Sequence, residues 1–387
     1  MPLDPAARAR AVEPFHVMRV LARAQALEAQ GRDVVHMEVG EPDFPTPDPV
    51  VRAAAAALAA GQTRYTPAAG LPALRAAIAA YYAERFGVRV SPARIIVTPG
   101  SSLALQLALL ALVDPDDDVL LCDPGYPCNR HLVRLAGGRV VPVPLGAESG
   151  YRPTPAQVAA AWTARTKALL VASPANPTGT VIDRAAMADL HLVVAARDGM
   201  LVVDELYQGL VYEAEPFTAL ELGDDVIVVN GFSKYFGMTG WRVGWIVVPE
   251  RFADVVDRLA QNLYLAAPTV AQHAAVAALA PDTRALLDAR RDVLRVRRDR
   301  LRAGLERLGF TFTAPPEGAF YLYADCSARA ADSFALAESL LTEAGVAVTP
   351  GADFGANRPS SHVRFAYTTD GARLDEGLRR IAAWLGR

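Results

Sequence analysis

The sequence has few cysteines, no strong excess of either charge and no apolar run long enough to cross a membrane. Its three cysteines, Cys122, Cys128 and Cys326, are odd in number and lack the spacing of a zinc site. They indicate structural thiols in a reducing compartment, so we expect a cytoplasmic protein without a metal site. The longest apolar run, residues 103–113, is interrupted by Gln106 and falls short of the roughly 20 residues that a bilayer requires.

A basic surface is also missing. The formal net charge is −3, from 39 Lys and Arg against 42 Asp and Glu, and this balance predicts no affinity for nucleic acid or for an anionic membrane. The N-terminal residues include arginines, but no apolar segment follows them as a secretory signal would require. These features are typical of a soluble globular protein.

The middle of the chain alternates short apolar runs with longer amphipathic stretches. The runs are apolar on both faces, as buried strands of a parallel sheet are, and cover residues 95–98, 119–122, 168–172, 201–204, 226–230 and 243–248. The helices predicted between them include residues 71–86, 102–113, 184–197 and 251–263. Because strand–helix–strand units build parallel sheets with helices on both faces, we predict an α/β fold with a three-layer large domain and a mostly parallel sheet.

From about residue 285 the pattern changes to a less regular mixture of elements. A charged helix ends at Gly309, a residue type favoured just after a helix. Strand candidates follow at 310–313, 319–324, 346–349 and 362–366, and helix candidates at 333–344 and 371–384. The first forty residues have a helix near 17–29 but no sheet of their own, so we expect them to pack onto this region. The predicted division is a large domain of residues 41–284 and a smaller α+β domain of residues 1–40 and 285–387.

Residues 230–242, with the sequence NGFSKYFGMTGWR, place a lysine just after a buried strand. Most isolated lysines are solvated surface charges, but a buried strand end beside Arg242 would lower the pKa of Lys234. A lysine that forms a Schiff base must lose its proton, so this position suits one. The glycine-rich loop would also let Ser233 and Arg242 share a phosphate, to which arginine makes charge-assisted hydrogen bonds.

An aspartate ends the apolar strand in the segment LVVDELY, residues 201–207. Ligands of α/β proteins bind at the carboxyl ends of the strands. There Asp204 would keep a pyridine nitrogen protonated, and Tyr207 would hydrogen-bond a phenolic oxygen of the same ring. Taken alone, the motif favours an aspartate that caps a helix N-terminus.

Two turns add polar groups after other strands. In SPANPTG, residues 173–179, the prolines and the glycine explain a rigid turn, but the turn does not require Asn176, whose amide could donate to the ring oxygen. In TPGSS, residues 98–102, a strand-to-helix turn offers free N–H groups to a phosphate, although any such turn looks similar.

These motifs, in this order, resemble those of the class I aminotransferases among the fold-type I pyridoxal-phosphate enzymes. The resemblance extends from GEPDF (40–44) through YTPAAG (65–70) to VRFAYT (363–368), which is nearly the whole chain. It implies pyridoxal 5'-phosphate held through a Schiff base to Lys234. The other cofactor contacts that it implies are Asp204 at the pyridine nitrogen, Asn176 and Tyr207 at the phenolic oxygen, Tyr126 on the ring face, and Ser101, Ser102, Ser233 and Arg242 at the phosphate.

The resemblance also implies contacts with the substrate and with a second subunit. Arg364 would grip the substrate α-carboxylate in a bidentate pair, assisted by Gly40 and Asn176. Phe320 would lie beside that carboxylate. Tyr65 would reach the phosphate bound to the partner subunit, so the active unit would be a homodimer.

The reaction that follows is transfer of an amino group from an amino acid to a 2-oxo acid, with Lys234, Asp204 and Tyr207 as the catalytic set. Lys234 would be in turn the covalent anchor and the group that moves the Cα proton. Gly231 stands where many relatives have a serine, so the phosphate site would have one hydroxyl fewer. Ser102 stands where aspartate-preferring bacterial relatives tend to carry a lysine, so we expect a donor with a neutral side chain.

Other functions remain to be weighed against this one. A carbon–sulfur β-lyase of the same fold would keep every cofactor contact and stays open as the alternative. A nicotinamide-binding protein would need a G-x-G-x-x-G after its first strand, which is absent. A regulator that only binds the cofactor would need a DNA-binding segment, and the first forty residues contain no basic recognition helix.

Overall fold

The computed structural model describes residues 3–215 and 217–386 as a set of helices around three sheets. The strands are β1 (Val35–His36), β2 (Ile95–Thr98), β3 (Asp118–Asp123), β4 (Arg139–Pro144), β5 (Thr166–Ala172), β6 (Met200–Asp204), β7 (Val226–Gly231), β8 (Gly244–Val247), β9 (Tyr321–Asp325), β10 (Val346–Ala347), β11 (Thr349–Pro350) and β12 (His362–Ala366). The α-helices are α1 (Ala7–Arg10), α2 (His16–Glu28), α3 (Asp48–Ala59), α4 (Pro72–Phe86), α5 (Ser101–Leu112), α6 (Pro127–Leu135), α7 (Pro155–Ala161), α8 (Arg184–Ala195), α9 (Glu250–Leu263), α10 (Thr269–Ala278), α11 (Pro281–Arg307), α12 (Ser333–Ser339) and α13 (Gly371–Trp384).

The largest sheet has seven strands in the order β2-β8-β7-β6-β5-β3-β4. Its strands pair in parallel except β8, which is antiparallel to both β2 and β7. The predicted mostly parallel sheet is therefore confirmed. Sequence analysis missed β4, because this edge strand contains Pro142 and Pro144 and is largely solvent-accessible, whereas the apolar pattern finds only buried strands.

Helices cover both faces of this sheet. Residues of β6 alternate between two apolar cores: Leu201 and Val203 pack on the side of α4, α8 and α10, whereas Met200 and Val202 pack on the side of α5 and α9. The period of two along a strand that is buried on both faces produces the three layers. The three-layer α/β arrangement predicted from the sequence is thus observed.

The C-terminal region contains the two smaller sheets. One is antiparallel, in the order β11-β12-β9, and the other is a parallel pair of β1 with β10. The strand predicted at residues 310–313 is wrong, since only Thr311 bridges to Asp325, and the prolines that follow lack the N–H groups to extend the ladder. The strand predicted at 346–349 is split into β10 and β11, which join different sheets.

The first forty residues contact this C-terminal region. Besides the pairing of β1 with β10, an apolar cluster joins Ala24 of α2 and Val34 to Leu341 and Ala347. The exact boundaries at residues 41 and 285 stay a prediction. Among the described residues, no helix has the length and apolar character to cross a membrane, and no group of three or more His, Cys, Asp or Glu side chains is arranged to bind a metal.

Candidate active site

The carboxyl ends of β5, β6 and β7 bring the predicted chemical groups together. Asp204 is the last residue of β6, while Asn176 and Lys234 lie in the segments that follow β5 and β7. Because these strands are parallel neighbours, their carboxyl ends lie at one edge of the sheet. They border a cavity of about 200 Å³, which Gly40, Ser101, Tyr126, Tyr207 and Arg364 also line.

Lys234 extends into this cavity, and its Nζ donates a 2.8 Å hydrogen bond to the carbonyl oxygen of Gly40. Desolvation lowers the pKa of Lys234 to about 8, with Glu41 acting against this change and the charges of Arg364 and Arg242 adding to it. A pKa this low leaves a substantial fraction of the amine neutral near pH 8, and the neutral amine is the nucleophilic form.

Asp204 is a buried carboxylate, and no cationic side chain among the described residues forms an ion pair with it. Burial raises its pKa to about 6, and a hydrogen bond from the backbone N–H of Leu206 to Oδ1, 3.0 Å long, opposes that rise. The next helical turn is Gln208–Leu210, and Asp204 does not cap it, so the helix-capping alternative is wrong. A buried carboxylate of this kind suits a ligand that brings its own proton or positive charge.

The turn before α5 lies against Arg242. Gly100 has a φ of +85°, and a Cβ at this position would collide with the guanidinium of Arg242. Ser101 is buried at the start of α5, where the helix N–H groups are free to bind an anion. Ser233 is also buried, and its carbonyl oxygen accepts a 2.8 Å hydrogen bond from Thr239 Oγ1. Thr239 also lines the cavity; it lies within the segment 230–242, but its place in the sequence had indicated no role for it.

Of the five residues predicted at the phosphate, Ser101 lines the cavity, whereas Ser102, Ser233, Arg242 and Tyr65 are not part of its described wall. Ser102 is exposed on α5, one residue after Ser101. Tyr65 has 83% of its surface exposed and does not contribute to the cavity wall.

The opposite end of the cavity contains a buried guanidinium. Arg364, on β12, donates from Nη1 to Asn176 Oδ1 at 2.9 Å and from Nη2 to the carbonyl oxygen of Glu38 at 2.6 Å. Its Nε has no hydrogen-bond partner within the described residues, and the partners of the two Nη atoms carry no charge. A cation that is buried without a counter-charge is costly, so this end of the cavity suits an anion.

The aromatic residues around Arg364 differ from the expected one. Tyr321 and Phe354 lie against its guanidinium, with ring centroids 4.0 and 4.8 Å from Cζ. Phe320 is fully buried. The centroid of its ring lies 5.3 Å from that of Tyr207 and 5.8 Å from Lys234 Nζ. The adjacency of Phe320 and Tyr321 in the sequence gave no means of choosing between them.

The site has the groups that pyridoxal phosphate requires. It combines a lysine of lowered pKa, a buried carboxylate for a protonated pyridine nitrogen and a helix N-terminus beside an arginine for a phosphate. Tyr207 adds a phenolic hydroxyl, which lies 3.0 Å from the hydroxyl oxygen of Tyr321. Fold and site together are those of a fold-type I pyridoxal-phosphate enzyme.

Comparison with known proteins gives the family. Residues 32–381 match the family model described as aminotransferase class I and II, and the chain belongs to this family. It is 42% identical over 377 residues to the valine–pyruvate aminotransferase of Mycobacterium tuberculosis, covering 97% of each chain. It is 41% identical over 383 residues to the aspartate/prephenate aminotransferase of Thermus thermophilus, covering 98% of each.

Solved structures agree with this assignment. An aminotransferase from Mycobacterium tuberculosis superposes with a TM-score of 0.95 at 40% identity over 100% of both chains. The aspartate aminotransferase of Thermus thermophilus with maleate gives a TM-score of 0.94 at 39% identity, over 99% of this chain and 100% of the other. The protein is therefore a pyridoxal-phosphate-dependent aminotransferase.

Proposed function

We propose that this aminotransferase carries pyridoxal phosphate on Lys234 and transfers the amino group of amino acids with neutral side chains to 2-oxo acids. The lowered pKa of Lys234 inside the cavity is the observation on which the proposal rests. The sequence contains only one other lysine, Lys167, which is half exposed and pairs with Asp117 at 3.8 Å. It lies near the amino end of β5, whereas the cavity lies at the carboxyl ends of the strands.

The remaining residues would hold the cofactor in one orientation. Asp204 would pair with the pyridine nitrogen, Asn176 and Tyr207 would donate to the phenolic oxygen, and Tyr126 would stack on the ring. The phosphate would be bound by Ser101, Ser102, Ser233 and Arg242. Bound pyridoxal phosphate supplies an electron-withdrawing ring that acidifies the Cα–H bond of an attached amino acid.

Lys234 would also move the proton. Its neutral Nζ would be the base that takes the Cα proton of the donor and, as an ammonium, the acid that gives this proton back. The carbonyl oxygen of Gly40, 2.8 Å from Nζ, keeps the amine directed into the cavity during this transfer. Asp204 would contribute electrostatically, because its carboxylate would keep the ring nitrogen protonated, and a positively charged ring withdraws electrons from the reacting carbon.

Arg364 would bind the α-carboxylate of the donor, with Gly40 and Asn176 beside it. Its guanidinium is already oriented by Asn176 and by the carbonyl of Glu38, so little order is lost when an anion binds. The fixed carboxylate then aligns the Cα–H bond with the cofactor, which is a positioning effect. Phe320, behind Lys234, would support this end of the site only indirectly.

The lining of the cavity supports a neutral donor. The charged residues among the described lining are Glu41, Asp204, Lys234 and Arg364. Of the two cations, Lys234 would carry the cofactor and Arg364 would bind the α-carboxylate. A distal carboxylate would meet Glu41 and no free cation. One relative is named for valine and pyruvate, which agrees with a neutral donor, whereas another is named for aspartate and prephenate.

We further propose a cytoplasmic homodimer in which Tyr65 reaches the phosphate in the partner subunit. The exposure of Tyr65 and its distance from the cavity of its own chain support this arrangement. Sedimentation equilibrium of the holoenzyme tests it: a monomer that retains full activity would contradict the proposal.

The deciding experiment combines spectroscopy with chemical trapping. Borohydride reduction of the holoenzyme followed by peptide mapping should place the cofactor on Lys234, with Lys167→Ala as the control that still traps it. The visible absorption band should fade with neutral amino acids and return with a 2-oxo acid. Trapping on Lys167 would contradict the lysine assignment, and pyruvate release from cysteine conjugates with a persistent band would favour the β-lyase.

A further inference from the structure

The start of α2 forms one wall of the active-site cavity. Phe15, Val17 and Met18 line it on the side away from the large sheet. The ring of Phe15 meets that of Tyr126 edge to face, with centroids 6.3 Å apart and an interplanar angle of 86°. This wall is apolar, so it contacts the part of a donor that extends beyond its α-carbon and carboxylate.

The N-terminus of α2 is capped by a residue from the other end of the chain. Phe15 occupies the capping position and offers no side-chain acceptor. The side chain of Asp353 provides the acceptors instead: its Oδ1 accepts from the N–H of His16 at 3.0 Å and its Oδ2 from the N–H of Val17 at 3.2 Å. The side chain of Asp353 is 1% exposed, and a carboxylate at this position also suits the helix dipole.

Asp353 is itself anchored to the segment that carries Tyr126. Arg130 Nη2 donates to the carbonyl oxygen of Asp353 at 3.1 Å, and the N–H of Gly125 donates to the carbonyl oxygen of Phe354 at 2.9 Å. Asp123 adds a further bond, since its Oδ2 accepts from the N–H of Ala356 at 3.0 Å. The cap therefore holds the apolar wall at a fixed distance from Tyr126.

We propose that Asp353 is a positioning residue that sets the apolar wall and thereby determines which neutral donor side chains the enzyme accepts. The inference rests on the proposed transamination of neutral donors and adds the residue that controls their size. A larger apolar side chain packs against Phe15 and Val17, whereas the methyl group of alanine ends before the wall. Loss of the cap releases the wall and selectively weakens the binding of large donors.

The test compares the half-reaction of wild type and Asp353→Ala, which removes both acceptor oxygens, with alanine and with leucine, followed by the loss of the visible band. We expect the KM for leucine to rise roughly 10-fold, the scale of a lost hydrophobic contact, while the KM for alanine changes less than about 2-fold. The limiting rates should stay within about 2-fold, because Asp353 does not touch the reacting atoms. A uniform rise for both donors would overturn the inference, as would unchanged values.

Two further variants separate positioning from general damage. Phe15→Ala should reproduce the selective effect, and the double variant should add little to it, because both changes remove the same wall. Additive effects would contradict the inference. Asp183→Ala is the matched control: Asp183 caps α8 with a 2.9 Å bond from Ala186 N, and α8 does not line the cavity, so the KM ratio of this variant should equal that of wild type.

A third variant leaves Asp353 in place. His16→Pro deletes one N–H that the cap receives, at the first helical position, where proline is favoured. The preceding Phe15 has an extended backbone, with φ −78° and ψ 112°, as a residue before proline requires. This variant should raise the KM for leucine selectively, and it tests the inference even if Asp353→Ala fails to fold. A wild type that reacts with no amino acid would instead contradict the proposed function itself.

Discussion

Arg364 and Asn176 are joined by a hydrogen bond of 2.9 Å from Nη1 to Oδ1, although 188 positions separate them in the sequence. The bond assigns the two ends of the Asn176 amide. Because Oδ1 accepts from the guanidinium, Nδ2 is left to donate, and the phenolic oxygen of the cofactor is the acceptor that we propose for it. One side chain thus connects the proposed carboxylate site to the proposed ring site.

Replacing Asn176 by Ala should therefore affect both sites. Loss of a donor to the phenolic oxygen favours the protonated chromophore, so the pH at which the visible band changes should rise by about one unit. The KM of the donor should rise as well, because Arg364 loses a neighbour that orients it. A spectrophotometric pH titration and half-reaction kinetics measure the two effects, and a change in only one of them would contradict the linkage.

Arg364→Lys should cost kcat/KM at least about 100-fold for an amino acid, because one ammonium cannot make the forked contact with a carboxylate. The matched substrate is the amine that lacks the carboxylate, such as isobutylamine for valine. Its slow reaction should be nearly unchanged in the variant. If both substrates lose activity equally, Arg364 has a structural role and does not bind the carboxylate.

The pKa of Lys234 predicts how the apoenzyme captures its cofactor. Because only the neutral amine attacks the aldehyde, the rate should rise with pH around a midpoint near the lowered value of about 8, well below the 10.5 of an unperturbed lysine. Stopped-flow absorbance after mixing apoenzyme with pyridoxal phosphate measures this profile. Lys234→Ala should form no band, and a midpoint above pH 10 would show that the amine is solvated.

Glu205 gives a prediction about stability. It is buried beside Asp204, and burial raises its pKa from 4.5 to about 8, although Ala219 N donates to its Oε1 at 2.7 Å. Between these two pH values the folded apoenzyme holds a proton that the unfolded chain has lost. The free energy of unfolding should therefore fall as pH rises from 4.5 to about 8.

Glu205→Gln should reduce that decline, to which Asp204 also contributes below about pH 6, and make the apoenzyme more stable than wild type at pH 8.5, by about 1–3 kcal/mol. Urea denaturation at pH 5 and at pH 8.5 provides the comparison. Glu13→Gln, at an exposed position, is the control and should follow the wild type at both pH values. Equal slopes for wild type and Glu205→Gln would show that Glu205 is ionised throughout.

The sequence predicted those parts of the molecule that depend on local pattern. The buried strands are apolar on both faces, and Asp204 and Lys234 follow them directly, so their place at the edge of the sheet could be derived. β4 was not predicted, because an exposed edge strand with prolines lacks that pattern. Most of the site contacts around Arg364 came only from the family resemblance, since nothing in the sequence around it marks a buried arginine.

Contacts between distant segments could not be predicted at all. Tyr321 and Phe354 reach Arg364 only because β9 and β12 pair and the segment after β11 folds back over them. The cap that Asp353 provides for α2 depends on the same folding back, and a lone aspartate between glycines gives no sign of it. Geometry of this kind is a property of the whole packed chain.

The parallel pairing of β1 with β10 has a consequence for synthesis on the ribosome. Val35 emerges early but pairs with Val346, which is made near the end, whereas every strand of the large sheet lies between residues 95 and 247. The large sheet, which Lys234 directly follows, can thus assemble before β10, the pairing partner of β1, has been synthesised. The wall that Phe15 and Val17 form would then be completed after the sheet, so a nascent chain would have its cofactor-binding edge before the proposed determinant of its selectivity.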